Sequence, residues 1–412
     1  MPHPAQRRSL PIFLLFILLI TSAIYAVSPT ISAAQTAGNA DTNDVSQLTR
    51  LIEGPQTPNR QGLDGFTLEE LMKLFHTPGI SIAVIQDFKV QWAKGYGLAD
   101  VKAGRAVDEH TMFQAASISK PVTAMAALRL VQDGRVSLDE DVNRLLKSWH
   151  VPDSEFTRLQ PVTPRSLFSH TSGADDGFGF PGYAPAAPLP TLVQILNGQP
   201  PSNVGPVLFK RPPYRSYKYS GGGIEIMQLA LLDLTGEPFH QMMQRLILTP
   251  LGMSDSTYQQ PLPENLVPRA SHAYNEEGQA MDAPFHVYPE QAAAGLWTTP
   301  SDLARVAIDL QRAIHGPTGT VLNEASARQM IAPTGVGPFA VGFVIEKKGE
   351  GWYFQHSGGN WGFRCHLLAH VRKGYGVVIM TNSDAAGPLI DEIEARVAAA
   401  YHWDSLDKPM FR

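Results

Sequence analysis

Ser117 and Lys120 stand three residues apart in the stretch FQAASISKPVTAMAALRLVQDG, directly ahead of Pro121. A serine hydroxyl is a weak nucleophile until a base takes its proton, and a lysine whose pKa is depressed by burial can be that base. Residues three apart share one face of a helical turn, so hydroxyl and amine can meet if a helix begins there. Pro121 lacks an N–H and disfavours helical geometry just before it, yet the residues through Asp133 form an amphipathic helix ended by Gly134. The helix therefore starts close to Ser117, where its N-terminus also favours negative charge. Alone, this spacing is common in soluble proteins, with the lysine a solvated first-turn residue. What the rest of the chain brings to the pair decides between the two readings.

The elements that must hold such a pair are visible on either side. Phe66, Leu68, Leu71 and Leu74 recur at helical spacing and stop at Pro78-Gly79; ISIAVIQDFKVQWAKGYGLAD then reads as a β-hairpin around Gln86-Asp87. From Ser117 to about Asp282 the chain is rich in Ala, Leu, Met, Pro and Gly, with helical stretches and irregular loops. TTPSDLARVAIDLQRAI offers Thr299 as N-cap, Pro300 in the first turn and Asp302 at the positive end. FAVGFVIEKK, GWYFQHSGG, FRCHLLAHV and YGVVIMTN follow as a strand meander, and GPLIDEIEARVAAAY as a closing helix. The expected fold is α+β: one antiparallel sheet built from N- and C-terminal segments (about 61–116 and 289–412) flanked by helices, with a mainly helical lobe over about 117–288. A cleft between the two is the natural place for a site.

The chain has 412 residues, 43% hydrophobic and 17% charged, with a formal net charge of -5. It is long enough to bury a core, and without single-sign charge runs it shows no nucleic-acid surface; a small molecule or peptide is the expected partner. Residues 1–34 carry Arg7-Arg8, an apolar run from Leu10 to Val27 and small residues through Ala34, the order of a secretory signal. Export to the periplasm or the extracellular space is expected, and a membrane tether through residues 10–27 is the alternative. Residues 35–60 read as a solvated linker ahead of a domain spanning 61–412. Cys365 is the single cysteine, so no intramolecular disulfide is available.

From about Leu71 to Asn382 the chain resembles the class C β-lactamase and penicillin-binding serine hydrolases, which include DD-peptidases, D-amino-acid peptidases and esterases. The resemblance rests on ordered phrases: PGISIAVIQD, GYGLAD, TMFQAASISKPVTA, DGRVSLDEDV, LFSHTSG, YKYSGGGIEIMQL, TPLGMSDST, AAAGLWTTPSDLARVA and FQHSGGNWGFR. It implies that Ser117 is the acylated nucleophile, Lys120 its partner and Tyr219, in YSG, a proton shuttle. It also places His356, Gly358 and Gly359 on the strand that lines the substrate site, with the N–H groups of Gly359 and Ser117 forming the oxyanion hole. No cofactor and no metal are implied.

Two departures bear on substrate choice. Gly221 stands where the family motif has an asparagine that holds a substrate's acylamido group, and His356 stands where class C β-lactamases have lysine. Both weaken β-lactam hydrolysis more than acyl transfer itself. His170, in SHTSG, reads as a buried loop histidine with a backbone partner. His366 and His370 have zinc-like spacing only on a helix; on a strand their rings stand ~13 Å apart. There is no phosphate loop at Gly221-Gly222-Gly223 and no G-x-S-x-G elbow. The expected function is an exported serine hydrolase acting on an amide or ester carbonyl. The alternatives are a DD-carboxypeptidase or penicillin-binding protein acting on cell-wall peptides, and a non-catalytic binding protein on the same fold.

Overall fold

In a computed structural model that describes residues 37–56, 62–176, 179–316 and 318–404, the expected hairpin is formed by β1 (Gly79–Gln86) and β2 (Lys89–Asp100). Asp87 and Phe88 turn it, both with positive φ (53° and 58°), the geometry that matches the twist of two-residue hairpins. A short β3 (Arg105–Ala106) extends this side. The C-terminal meander supplies β4 (Val344–Lys348), β5 (Gly351–Asn360), β6 (Phe363–His370) and β7 (Gly376–Thr381). Together they make one seven-stranded sheet in the order β3-β2-β1-β7-β6-β5-β4. β1 joins the two chain ends by pairing antiparallel with β7, Ile82 opposite Ile379. The α+β architecture read from the sequence is the one observed.

Both faces of this sheet are covered, which explains why β1 and β7 are mostly apolar and buried along their length rather than alternating. Ile80, Ile82, Val84, Val377 and Ile379 face an outer core with helices α2 (Leu68–Leu74) and α7 (Gly387–Tyr401). Ala83, Ile85, Val378 and Met380 face an inner core shared with α3 (Ser119–Gln132), α4 (Gly221–Thr235) and α6 (Pro300–His315). Thr299 caps α6 by accepting from the Asp302 N–H at 3.3 Å, with Pro300 in the first turn. A one-turn α5 (Gln291–Ala294) lies ahead of it.

Two expectations are adjusted. Residues 35–60, read as a solvated linker, include α1 (Ala37–Glu53), whose Ile52 is fully buried. Val45, Leu48 and Ile52 carry the helical period within an otherwise polar composition, which hid it. FAVGFVIEKK is strand only from Val344; before it the chain turns at Gly342, whose φ of +94° and approach to Pro121 and Ala124 of α3 leave no room for a side chain. The signal segment 1–34 and its apolar run lie outside the described residues. Among the described residues no helix is long and apolar enough to cross a membrane. The chain divides into two units between Asp44 and Val45, and the sheet and the site belong to the second.

Arg396 of α7 anchors the segment that precedes the sheet. It is fully buried, paired with Glu392 at 2.9 Å, and donates to the carbonyls of Ile52, Gly54, Leu63 and Phe66 at 2.8–3.3 Å. Replacing it with Met removes a donor from four carbonyls and the opposite charge from a buried carboxylate, a loss of about 3–5 kcal/mol for a broken buried pair. Arg396→Met should therefore lower the free energy of unfolding by that amount and move the denaturant midpoint down in proportion. An unchanged midpoint in urea titration would show that the clamp carries no stability.

Candidate active site

The nucleophile candidate sits in a single 3-10 turn, Ala116–Ile118, at the mouth of α3. Ala116 adopts φ +49°, an uncommon left-handed conformation for a residue with a side chain. The turn rests on β5: a Cβ on Gly358 would lie 2.3 Å from the Ala115 carbonyl and 2.4 Å from the Cys365 sulfur. Only glycine permits this approach. Cys365, the single cysteine, donates its S–H to the same Ala115 carbonyl at 3.0 Å and is buried.

Lys120 is 3% exposed, and its Nζ donates to the Ser117 Oγ at 2.9 Å and to the Ala293 carbonyl at 2.8 Å. The same amine lies 5.1 Å from the centre of the Tyr219 ring. Tyr219 is held from behind by His170, whose ring is 4.2 Å away and tilted by 32°. His170 accepts the Ser220 N–H on Nδ1 at 3.2 Å, and burial, reinforced by the Lys120 charge, holds its pKa well below the usual imidazole range. It is a neutral packing partner for the tyrosine, with the backbone contact expected of it.

His356 on β5 faces the same space, 6.5 Å from Tyr219 and 5.6 Å from Phe339, ring centre to ring centre. Its Nδ1 lies 2.6 Å from the carbonyl of Ser357; a carbonyl accepts only, so Nδ1 carries the proton and Nε2 is a bare acceptor. Nε2 is buried without a partner. Burial, together with Lys120, pushes the His356 pKa down to about 3, so the ring is neutral. β4 pairs with β5 only as far as Gln355, so His356–Asn360, including Gly359, form an open strand edge.

The glycine run at the start of α4 is a matter of space. A Cβ on Gly221 would lie 2.6 Å from the Phe180 ring, and one on Gly222 would lie 2.3 Å from Val207 and 2.8 Å from an Asp176 oxygen. Asp176 and Ser220 together cap the helix: Ser220 Oγ accepts the Gly223 N–H at 2.8 Å and donates to Asp176, which also accepts the Gly222 N–H at 2.5 Å. Gly221 therefore brings no group to the cleft; the Phe180 ring stands over it.

Several groups in the site were not singled out from sequence. Ala292–Ala294 work through their backbone: Thr123 donates to the Ala292 carbonyl at 3.1 Å, Asn360 to that of Ala294 at 3.1 Å, and the N–H groups of Ala292 and Ala293 reach Gln228 at 2.5 Å and Glu225 at 3.1 Å. Glu225 was detectable, being a lone charge in the apolar run GGGIEIMQLALL. His366 and His370 lie on β6 with separate carboxylates, Glu394 at 3.0 Å and Asp404 at 2.7 Å. Among the described residues no three ligand-type side chains converge as a metal would require. A cavity of about 660 Å³ between Trp352, Arg372 and Asp404 opens toward the start of β5 and includes none of the Ser117 group.

Comparison with known proteins is consistent with this geometry. The chain is 23% identical over 356 residues to the protein flp of Staphylococcus aureus (strain N315), covering 82% of this chain and 66% of that one. It thus spans just under two thirds of the curated relatives it first matches. Its fold is similar to the octameric penicillin-binding protein homologue of Pyrococcus abyssi (TM-score 0.64, 22% identity, 89% of this chain and 79% of that one). It is also similar to the D-amino acid amidase of Ochrobactrum anthropi SV3 (TM-score 0.62, 21% identity, 86% and 99%). At these identities the structures speak for the fold alone. The profile of the Beta-lactamase family matches residues 67–401, and with that span the chain belongs to the β-lactamase family of serine hydrolases.

Proposed function

We propose that this chain is an exported acyl-transferring hydrolase that forms an acyl-enzyme on Ser117. The observation that carries this reading is the 2.9 Å hydrogen bond between Lys120 Nζ and Ser117 Oγ, made by a lysine with almost no exposure. In its neutral form Lys120 takes the Ser117 proton as Oγ attacks the carbonyl carbon, and Tyr219, beside the amine, passes a proton to the departing nitrogen or oxygen. The oxyanion is received by the N–H groups of Ser117 and Gly359, each such donor lowering the barrier by about 3–4 kcal/mol. Water, deprotonated by the same pair, then releases the acid and restores Ser117. Export rests on the order of charges and apolar residues in 1–34.

The substrate favoured is an amide or ester with an uncharged leaving group, bound along the open edge of β5. His356 supports this: a neutral ring with a bare acceptor gives a free terminal carboxylate no counter-charge, whereas the family's lysine would. Tyr217 and Phe339, stacked 5.8 Å apart at 15°, add an aromatic wall. The solved D-amino acid amidase on this fold makes small amino-acid amides the first substrates to try.

A fluorophosphonate probe should label the protein to one equivalent, and Ser117→Ala should abolish the label. A folded wild-type protein that takes up none would remove acyl transfer from consideration. Lys120→Met and Tyr219→Phe should each slow labelling by about 10²–10⁴-fold with little change in thermal stability. Gly358→Ala, which pushes on the Ala115 carbonyl, should slow labelling by about 10²-fold through misplacement of Ser117; mass-resolved time courses measure all three. His356→Lys should raise kcat/KM for D-alanyl peptides with a free carboxylate relative to the corresponding amides. An unchanged ratio in that comparison would separate His356 from leaving-group choice.

A further inference from the structure

Glu225 and Glu290 are the least compensated polar groups near the site. Glu225, on the second turn of α4, is fully buried; its Oε1 accepts the Ala293 N–H at 3.1 Å and its Oε2 meets no donor. Glu290, the residue before α5, is also fully buried, and no other residue hydrogen-bonds to either of its oxygens. One of these buried carboxyls thus touches, and the other directly precedes, the short segment whose Ala293 carbonyl holds Lys120. A buried carboxylate without donors is among the costliest groups a fold can hold. A proton on a carboxyl removes the charge and converts an acceptor into a donor.

We propose that Glu225 and Glu290 form a carboxyl pair that retains a proton at neutral pH, positioning the 290–294 segment under Lys120, and that losing this proton unseats the lysine. The charged and titratable groups facing the pair are Lys120 of α3, Asp176 from the loop ahead of Phe180, and the phenols of Tyr183 and Tyr288. Lys120 is the one cation among them and is already shared between Ser117 and Ala293; Asp176 is occupied by Ser220 and Gly222. Besides the Ala293 N–H on Glu225 and Glu290's own backbone N–H, no cation is left to offset a charge on either carboxyl. Burial holds Glu225 well above the usual carboxylate range, with Glu290 adding to it, and raises Glu290 to about 8.

The sign follows from linkage. Both groups are raised above their unfolded value of 4.5, so their contribution to stability is complete below about pH 4.5 and falls away as pH rises toward about 8. Glutamine mimics the protonated carboxyl and does not titrate. Unfolding temperature should therefore fall between pH 5 and 8.5 more steeply for wild type than for Glu290→Gln or Glu225→Gln. Parallel curves for all three proteins would overturn the pair.

The catalytic half rests on Lys120 as the base for Ser117. Fluorophosphonate labelling across pH should show Glu290→Gln near wild type at neutral pH, with the alkaline decline moved or lost. Glu290→Ala should be slower by at least about tenfold at every pH. A glutamine variant as slow as the alanine variant would count against the shared proton. If wild type takes no label at all, the acyl-transfer reading fails, while the stability curves still decide the carboxyl pair.

Discussion

The site depends on one buried ammonium with two acceptors, the Ser117 hydroxyl and the Ala293 carbonyl. The first contact follows from spacing along α3; the second needs a chain segment 173 residues away. Most of the inner architecture converges on keeping that segment in place. Gln228 and Glu225, one turn apart on α4, hold its N–H groups, Thr123 and Asn360 hold its carbonyls, and the Leu296 N–H reaches Ser119 at 3.1 Å. α3, α4 and β5 are thereby tied to each other through the backbone of three alanines. Small side chains suit this role, since the work is done by peptide groups that larger residues would hold at a distance.

Neutrality is the second theme. His170 and His356 flank Tyr219, and both are kept uncharged by burial with Lys120 close by. Two neutral rings therefore add no charge beside the amine that faces Ser117. The two buried glutamates would add negative charge to this region if they were ionised. Their burial and the chemistry of Lys120 are therefore parts of one electrostatic arrangement.

Much of this could be read from the chain. The hairpin, the strand meander, the Thr299 cap and the closing helix follow from period and turn chemistry, and the Ser117–Lys120 contact follows from a three-residue step at a helix start. Tyr219 and His356 came from motif order, because nothing in local pattern tells a site tyrosine or histidine from a packed one. α1 was missed because its apolar positions are sparse among polar residues, so composition outweighed period. The backbone partners were invisible for a different reason: a carbonyl has no residue type, and AAAG carries no signal of what its peptide groups touch. Gly221 looked like a lost contact, and only the position of Phe180 shows the space to be filled.

The open edge of β5 bears on solubility as well as on binding. Unpaired strand edges are templates for other chains, and natural sheets protect them by keeping them short, twisted or charged. Here β4 pairs with β5 from Gly351 to Gln355, and the strand ends at Asn360. The unpaired stretch is thus five residues long and includes two glycines, too short and too weak in β-propensity to recruit a stable foreign strand. The length of the β4–β5 hairpin thus acts as a ruler: a longer β4 would seal the edge, and a shorter one would leave the protein open to edge-to-edge association.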